Sequence, residues 1–230
     1  MSRSADGDRG PHVAVVLARE TLTSLVALVL RHLGLTVVDA DTAAEAAALL
    51  NADTGLVLID LMLPGAADVL TSARMHGLPT LALIDLEAGM SSLTAFAAGA
   101  DQAIRIPFTP DELAVRAGAL ARRNGRPLGF THGQRANAMD LSLDEHVGLG
   151  GRIVVLDPTQ NSLLYLLAAR AGVSVTFAEM RRLVWGIERA ATDGDVTGLV
   201  RGLAGALGRR AGQAAVEVGS SAAILRHVAA

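Results

Sequence analysis

Two spacings of apolar residues alternate over the first half of the chain. Residues 12–18, HVAVVLA, form a short β-branched run. Residues 20–34 then place Leu22, Leu25, Val26, Val29, Leu30 and Leu33 at helical spacing, with Gly34 positioned as the C-terminal cap. The same exchange recurs. LTVVDA reads as a strand and DTAAEAAALLN as a helix capped by Asp41 or Thr42. GLVLID is a strand, and GAADVLTSARMHG a helix closed by Gly77. PTLALID, GMSSLTAFAAGA and DQAIRI continue the order as strand, helix and strand. TPDELAVRAGALARR closes it as a helix, with Thr109 as N-cap, Pro110 at the first position and Glu112 at the third. Five such βα units with wholly apolar strands predict an α/β fold, a five-stranded parallel sheet doubly wound with helices on both faces.

The pattern changes after residue 123. NGRPLG, residues 124–129, is a polar linker. Two short strands flank the GLGG turn at 148–151, which is a hairpin signal. Thr159 or Asp157 can cap a helix bearing Leu163, Leu164, Leu166 and Leu167. A second helix, VTFAEMRRLVWG, starts at Thr176 with Glu179 three residues on. A third helical stretch, DVTGLVRGLAGALGRR, is followed by a terminal hairpin in AAVEVGSSAAILRHVA. The organisation is thus a polar, disordered tail at 1–11, a first domain at 12–123, the linker, and an α+β domain at 130–230.

One residue in the first domain stands out chemically. In LVLIDLMLPG, a buried strand stops at a single carboxylate, Asp60. Functional groups of a parallel sheet lie at the carboxyl ends of its strands, so Asp60 holds the position of a site.

LVLIDLMLPG, AAGADQAIRIPFTPDELAVRAGALARR and the five-unit order resemble the receiver domain of bacterial two-component response regulators, a CheY-like (flavodoxin-like) fold. The resemblance spans residues 12–123 and implies that Asp60 is the phosphoacceptor equivalent. It also implies an acidic pair that holds Mg²⁺, a Thr or Ser hydroxyl and a Lys. Here those positions fall on Leu17 and Ala18, on Ile84, and on Ile106. Phosphoryl transfer is catalysed by positioning and charge neutralisation. A pocket of Leu17, Ala18, Ile84 and Ile106 offers neither metal nor cation, and Arg105 is one residue off, so it should face the other way. The expectation is that Asp60 goes unphosphorylated and acts as a turn carboxylate bonded to N–H groups of residues 61–65. A vestigial phosphorylation, or a small apolar ligand in the old site, is the alternative.

The second domain resembles the winged-helix effector of OmpR/PhoB-type regulators. LDPTQNSLLYLLAARAG, FAEMRRLVWG and DVTGLVRGLAGALG carry the resemblance, and it makes Trp185 a core anchor. The third helix is then the one that should enter the DNA major groove. At the family's basic positions stand Gly202, Ala204, Gly205 and Ala206, and the wing reads SSAAI at Ser220–Ile224. Arg201, Arg209 and Arg210 remain, either as DNA contacts or as a solvated helix face. The family also implies a receiver homodimer through its last helices and strand. Asp101, Glu112, Arg116, Arg122 and Arg123 match charged positions there, while Gln102 and the run through Ser91, Ser92 and Thr94 do not.

Composition narrows the remaining chemistry. All 20 basic residues are Arg, so no lysine ammonium is available. Divided after Arg126, the first part carries 10 Arg against 14 acids and the second 10 against 9, neither an avid nucleic-acid binder's balance. With 0 Cys there is no disulfide and no thiolate ligand, which favours the cytoplasm. No apolar run approaches the roughly 20 residues needed to span a bilayer, and the N-terminus lacks signal-peptide character. The 6 His show no metal-binding spacing, and no P-loop, dinucleotide fingerprint or GxSxG occurs. No cofactor and no enzyme activity are expected. Two functions follow: a phosphorylation-independent DNA-binding transcriptional regulator with a dimerising receiver, or a pseudo-regulator that binds a protein partner or small ligand without DNA.

Overall fold

The computed structural model describes residues 13–85, 88–123, 125, 128–129, 131, 133–185, 191–208 and 214–227. The tail at 1–11 and linker residues 124, 126 and 127 lie outside the described residues.

In the first domain the strands are β1 (Val13–Leu17), β2 (Thr36–Asp39), β3 (Thr54–Asp60), β4 (Thr80–Asp85) and β5 (Gln102–Ile106). The helices are α1 (Glu20–Leu30), α2 (Ala43–Leu49), α3 (Ala66–Met75), α4 (Ser92–Ala97) and α5 (Pro110–Arg123). All pairings are parallel and the order is β2-β1-β3-β4-β5. Strand alternation divides the core into two layers. Leu56, Leu58, Leu81 and Leu83 pack with α1 and α5. Val57, Ile59, Ala82 and Ile84 pack with residues of α2, α3 and α4. Every residue of β3 and β4 is buried, which is why those segments are near-continuous apolar runs. Thr42 caps α2, its hydroxyl accepting from the Glu45 N–H at 3.2 Å. Gly34 ends the tighter turn after α1 with φ of 69°, a left-handed conformation that favours glycine.

The second domain opens with an antiparallel sheet in the order β6 (Gly133–Ala136), β7 (Met139–Ser142), β8 (His146–Leu149) and β9 (Arg152–Val155). Next come α6 (Pro158–Ala169), β10 (Val175–Thr176), α7 (Phe177–Met180) and α8 (Asp193–Leu207). A wider turn over Arg181–Trp185 continues α7. The last strands, β11 (Ala214–Val218) and β12 (Ala222–His227), pair with β10 in the order β10-β12-β11. Asp157, not Thr159, caps α6, in a full capping box with Gln160. The predicted box of Thr176 with Glu179 is present. Trp185 is half-buried against the core.

The β6–β7 hairpin was not legible in the sequence. Its turn residues, Asn137 and Ala138, have φ of 51° and 59°. Such turns ordinarily announce themselves with Gly, and an alanine there gives no signal.

The domains share one apolar layer. Leu22, Leu25 and Leu33 of the receiver side belong to the same buried cluster as Leu163, Leu166 and Leu167 of α6. At its centre the Tyr165 hydroxyl lies 2.8 Å from His32 Nε2, and both residues are fully buried. His32 Nδ1 is 2.8 Å from the Thr131 carbonyl. A carbonyl only accepts, so Nδ1 carries the proton and Nε2 accepts from the tyrosine. Burial, aided by the charges of Asp144 and Asp111, holds the Tyr165 hydroxyl well above its ordinary pKa.

Candidate functional site

The strand order reverses between β1 and β3, and Asp60 ends β3 at that point. This is where an open parallel sheet forms its crevice. Asp60 is fully buried, and a buried carboxylate requires partners. Arg19 is the main one. Its Nε is 2.6 Å from Asp60 Oδ2, and its Nη2 is 3.1 Å from Asp85 Oδ2 at the end of β4. The other oxygen of Asp60 accepts from the Met62 N–H at 3.1 Å. Arg19 stands just before α1 in extended conformation, and from there it reaches across the strand ends. Burial, the largest single influence, pulls its guanidinium pKa down. The hydrogen bonds and charges of Asp60 and Asp85 together outweigh it, so the pKa stands above the ordinary arginine value.

This corrects the expected site. The four apolar positions do not leave Asp60 without a cation, because the next residue after Ala18 supplies one. The turn contact to the 61–65 loop exists through Met62, but it is secondary. Nor do the four positions line one pocket. Leu17 and Ile84 are buried in the layer under α2, α3 and α4, Ile106 in the opposite layer, and Ala18 is half-buried. Leu17, Ile84 and Ile106 are packed at 1%, 0% and 5% exposure, which removes the idea of a small apolar ligand there. Arg105 is exposed, as its register required. One signal could have revealed Arg19: a cation directly after β1, opposite two strand-terminal carboxylates.

A divalent cation does not fit this arrangement. Leu17 and Ala18, which the resemblance matches to an acidic pair, have no side-chain oxygen, and a guanidinium already occupies the Asp60 carboxylate. Among the described residues no group of three or more His, Cys, Asp or Glu could hold a metal.

The effector surface is built on α8. Val196, Val200, Leu203 and Leu207 face inward, and Arg152 donates to the carbonyls of Ala206 and Leu207, satisfying the helix end. The outward face carries Gly198, Arg201, Gly202 and Gly205, all exposed. Ala204 and Ala206 are half-buried. At the start of the helix Asp193 pairs with Arg181, and Asp195 closes a capping box with Thr192. Arg209 and Arg210 lie outside the described residues. The wing turns through Gly219, Ser220 and Ser221, with no cation at its tip.

Comparison with known proteins decides the family. No family model matches the chain. The probable transcriptional regulatory protein TcrX of Mycobacterium tuberculosis is 31% identical over 191 residues, covering 80% of this chain and 81% of TcrX. The chain belongs to the OmpR/PhoB-type response regulators. The DNA-binding dual master transcriptional regulator RpaA of Synechocystis is 27% identical over 190 residues, covering 77% of this chain and 78% of RpaA. Among solved structures, the response regulator DrrB, a Thermotoga maritima OmpR/PhoB homolog, is 20% identical with a TM-score of 0.41, covering 93% of this chain and 98% of DrrB.

In this OmpR/PhoB-type regulator the surface of α4, β5 and α5 combines charge and apolar area. Glu112 accepts from Arg116 at 2.9 Å. Arg122 and Arg123 are exposed at the end of α5. Asp101 is committed within the domain, one carboxylate oxygen accepting from the Thr80 N–H at 2.8 Å and hydroxyl at 2.9 Å. Leu93, Phe96 and Val115 are exposed on the same helices. Among the described residues no helix is long and apolar enough to cross a membrane.

Proposed function

We propose that this chain is a DNA-binding transcriptional regulator that works without phosphorylation of Asp60. The observation that carries the reading is the pair between Asp60 and Arg19, at 2.6 Å and fully buried on the aspartate side. Phosphorylation would have to break that pair and place a dianion there without a metal. Removing a partner from a buried ion pair costs about 3–5 kcal/mol. The receiver instead serves as a fixed platform. Leu93, Phe96 and Val115 give its α4, β5 and α5 surface the apolar area for a homodimer, with Glu112, Arg116, Arg122 and Arg123 at its edge. Exposed ion pairs contribute only about 0–1 kcal/mol each, so the apolar contacts carry the association. The winged helix docks on DNA through α8, whose outward face is free in the intact chain, with Arg201 toward phosphate. This is a binding function, with no enzymatic step and no cofactor.

A second reading is favoured by α8 itself. Four exposed glycines, one exposed Arg and two acids in its first turn make a weak partner for a polyanion. On that reading the chain is a pseudo-regulator that binds a protein partner and leaves DNA alone.

The discriminating experiment is fluorescence-anisotropy titration with promoter DNA at several salt concentrations, with and without a small-molecule phosphodonor and Mg²⁺. Specific binding unchanged by the donor is the expected result. Arg201→Ala should then lower the salt slope by about 1. Binding enhanced by the donor overturns the phosphorylation-independent reading. Absence of specific binding in both conditions selects the second.

A further inference from the structure

We propose that the first turn of α1 is a mechanical link, through which the Arg19–Asp60 pair holds the effector domain in place. Arg19 is then a positioning residue for the effector as well as the partner of Asp60.

The link is continuous in the structure. Arg19 is tied to β3 and β4 through Asp60 and Asp85. Its carbonyl accepts from Leu22 and Thr23 at 2.8 and 3.0 Å, which ties the Arg19 backbone to the first helical turn. Thr21, inside that turn, is held by the effector. Arg170, just after α6, donates from Nη1 to the Thr21 hydroxyl at 2.7 Å. The hydroxyl in turn donates to Glu179 Oε1 at 3.2 Å. Glu179 is not free to follow, because its other oxygen accepts from the Thr176 N–H at 2.9 Å and closes the cap of α7. Two residues therefore separate the old acceptor site from a hydrogen-bonded anchor on the effector. Past the far end of the helix, the His32 contacts to Tyr165 and Thr131 fix the second point. A helix gripped at both ends, with its start pinned to the sheet, permits one placement of the effector. The fixed pose takes over what a phosphoryl group would otherwise control. The inference uses the Arg19–Asp60 pair but not DNA binding, so a failure to bind DNA leaves it standing.

The test uses the full chain, whose lack of cysteine allows labels at chosen sites. Met75→Cys and Ile153→Cys lie on different domains at 76% and 71% exposure, and carry spin labels for pulsed distance measurement. The parent should give one narrow interdomain distance. Asp60→Asn keeps the shape and removes the charge that holds Arg19, and it should replace the narrow peak with a broad distribution. Thr21→Val combined with Arg170→Ala should broaden it likewise. Asp85→Asn, which weakens the longer Arg19 contact, should broaden it less and serves if Asp60→Asn fails to fold by circular dichroism. A narrow peak in both aspartate variants, with broadening in the Thr21 and Arg170 variant, overturns the link. A narrow peak in all of them also overturns it, since apolar packing of α1 on α6 alone would then set the pose.

Discussion

The switch region of the receiver and the outward face of α8 have both departed from the family's charged chemistry, but by different routes. Around Asp60 the positions that the resemblance matches to an acidic pair, a hydroxyl and a lysine are apolar, and an internal cation, Arg19, pairs with the carboxylate. On α8 the positions that the resemblance matches to basic residues are glycine and alanine. Burial explains the difference. Asp60 is fully buried, so it is stable only with a partner. Gly198, Gly202 and Gly205 face solvent, where losing a cation leaves no group unsatisfied. A buried carboxylate must be paired, whereas an exposed position can stand without a charge.

The sharpest break in that comparison is Arg19→Ala. It removes the guanidinium that pairs with Asp60 and Asp85, and urea denaturation should show a loss of about 3 kcal/mol. That is the low end for a buried pair, because the Arg19 side chain is 27% exposed. A loss below about 0.5 kcal/mol would mean that the buried site had been emptied in the same way as α8.

Tyr165→Phe tests the same rule at the domain seam. The substitution removes the hydrogen bond from the hydroxyl to His32 Nε2, at an expected cost of about 1–3 kcal/mol. A neutral outcome would show water reaching the ring.

On α8 the sign should reverse. Nothing lies within 4 Å of a Cβ built at Gly198 or Gly205. Gly198→Ala and Gly205→Ala should each raise stability by about 1 kcal/mol, read from thermal or urea unfolding. If the same variants weaken DNA binding, the glycines serve close approach to the backbone and the surface is not empty after all.

The smallest effect is expected at Glu179. Burial opposes ionisation, but hydrogen bonds from Thr176 and Thr21 and the charge of Arg170 outweigh it and hold the carboxyl below its usual value of 4.5. Its folded pKa is depressed, so its contribution is complete above the ordinary value. It is lost as pH falls through the lowered one. The slope of stability against pH below about 4.5 should therefore flatten slightly in Glu179→Gln.

Much of the first domain could be read in the sequence because its signals are local. The wholly apolar β3, the helical spacing of α1 and the capping residues of α2 and α7 each act within a few residues of themselves. The β6–β7 hairpin escaped because its turn uses Ala138 where glycine normally marks a positive φ. Arg19 escaped for another reason. Its partners are 41 and 66 residues away in sequence, so it becomes legible only once the parallel order of the strands places the loop after β1 beside the ends of β3 and β4.

The sequence by itself determined the alternation of strands and helices, the two-domain order and the apolar character of the positions around Asp60. Those properties follow from which residues are apolar and at what period. Only the tertiary structure decided that Asp60 is paired with Arg19, that Tyr165 donates a hydrogen bond to His32, and that the start of α1 lies within reach of both Asp60 and Arg170. Each of these depends on distances between residues far apart in the chain, which the parallel sheet brings together only when its strands are in register.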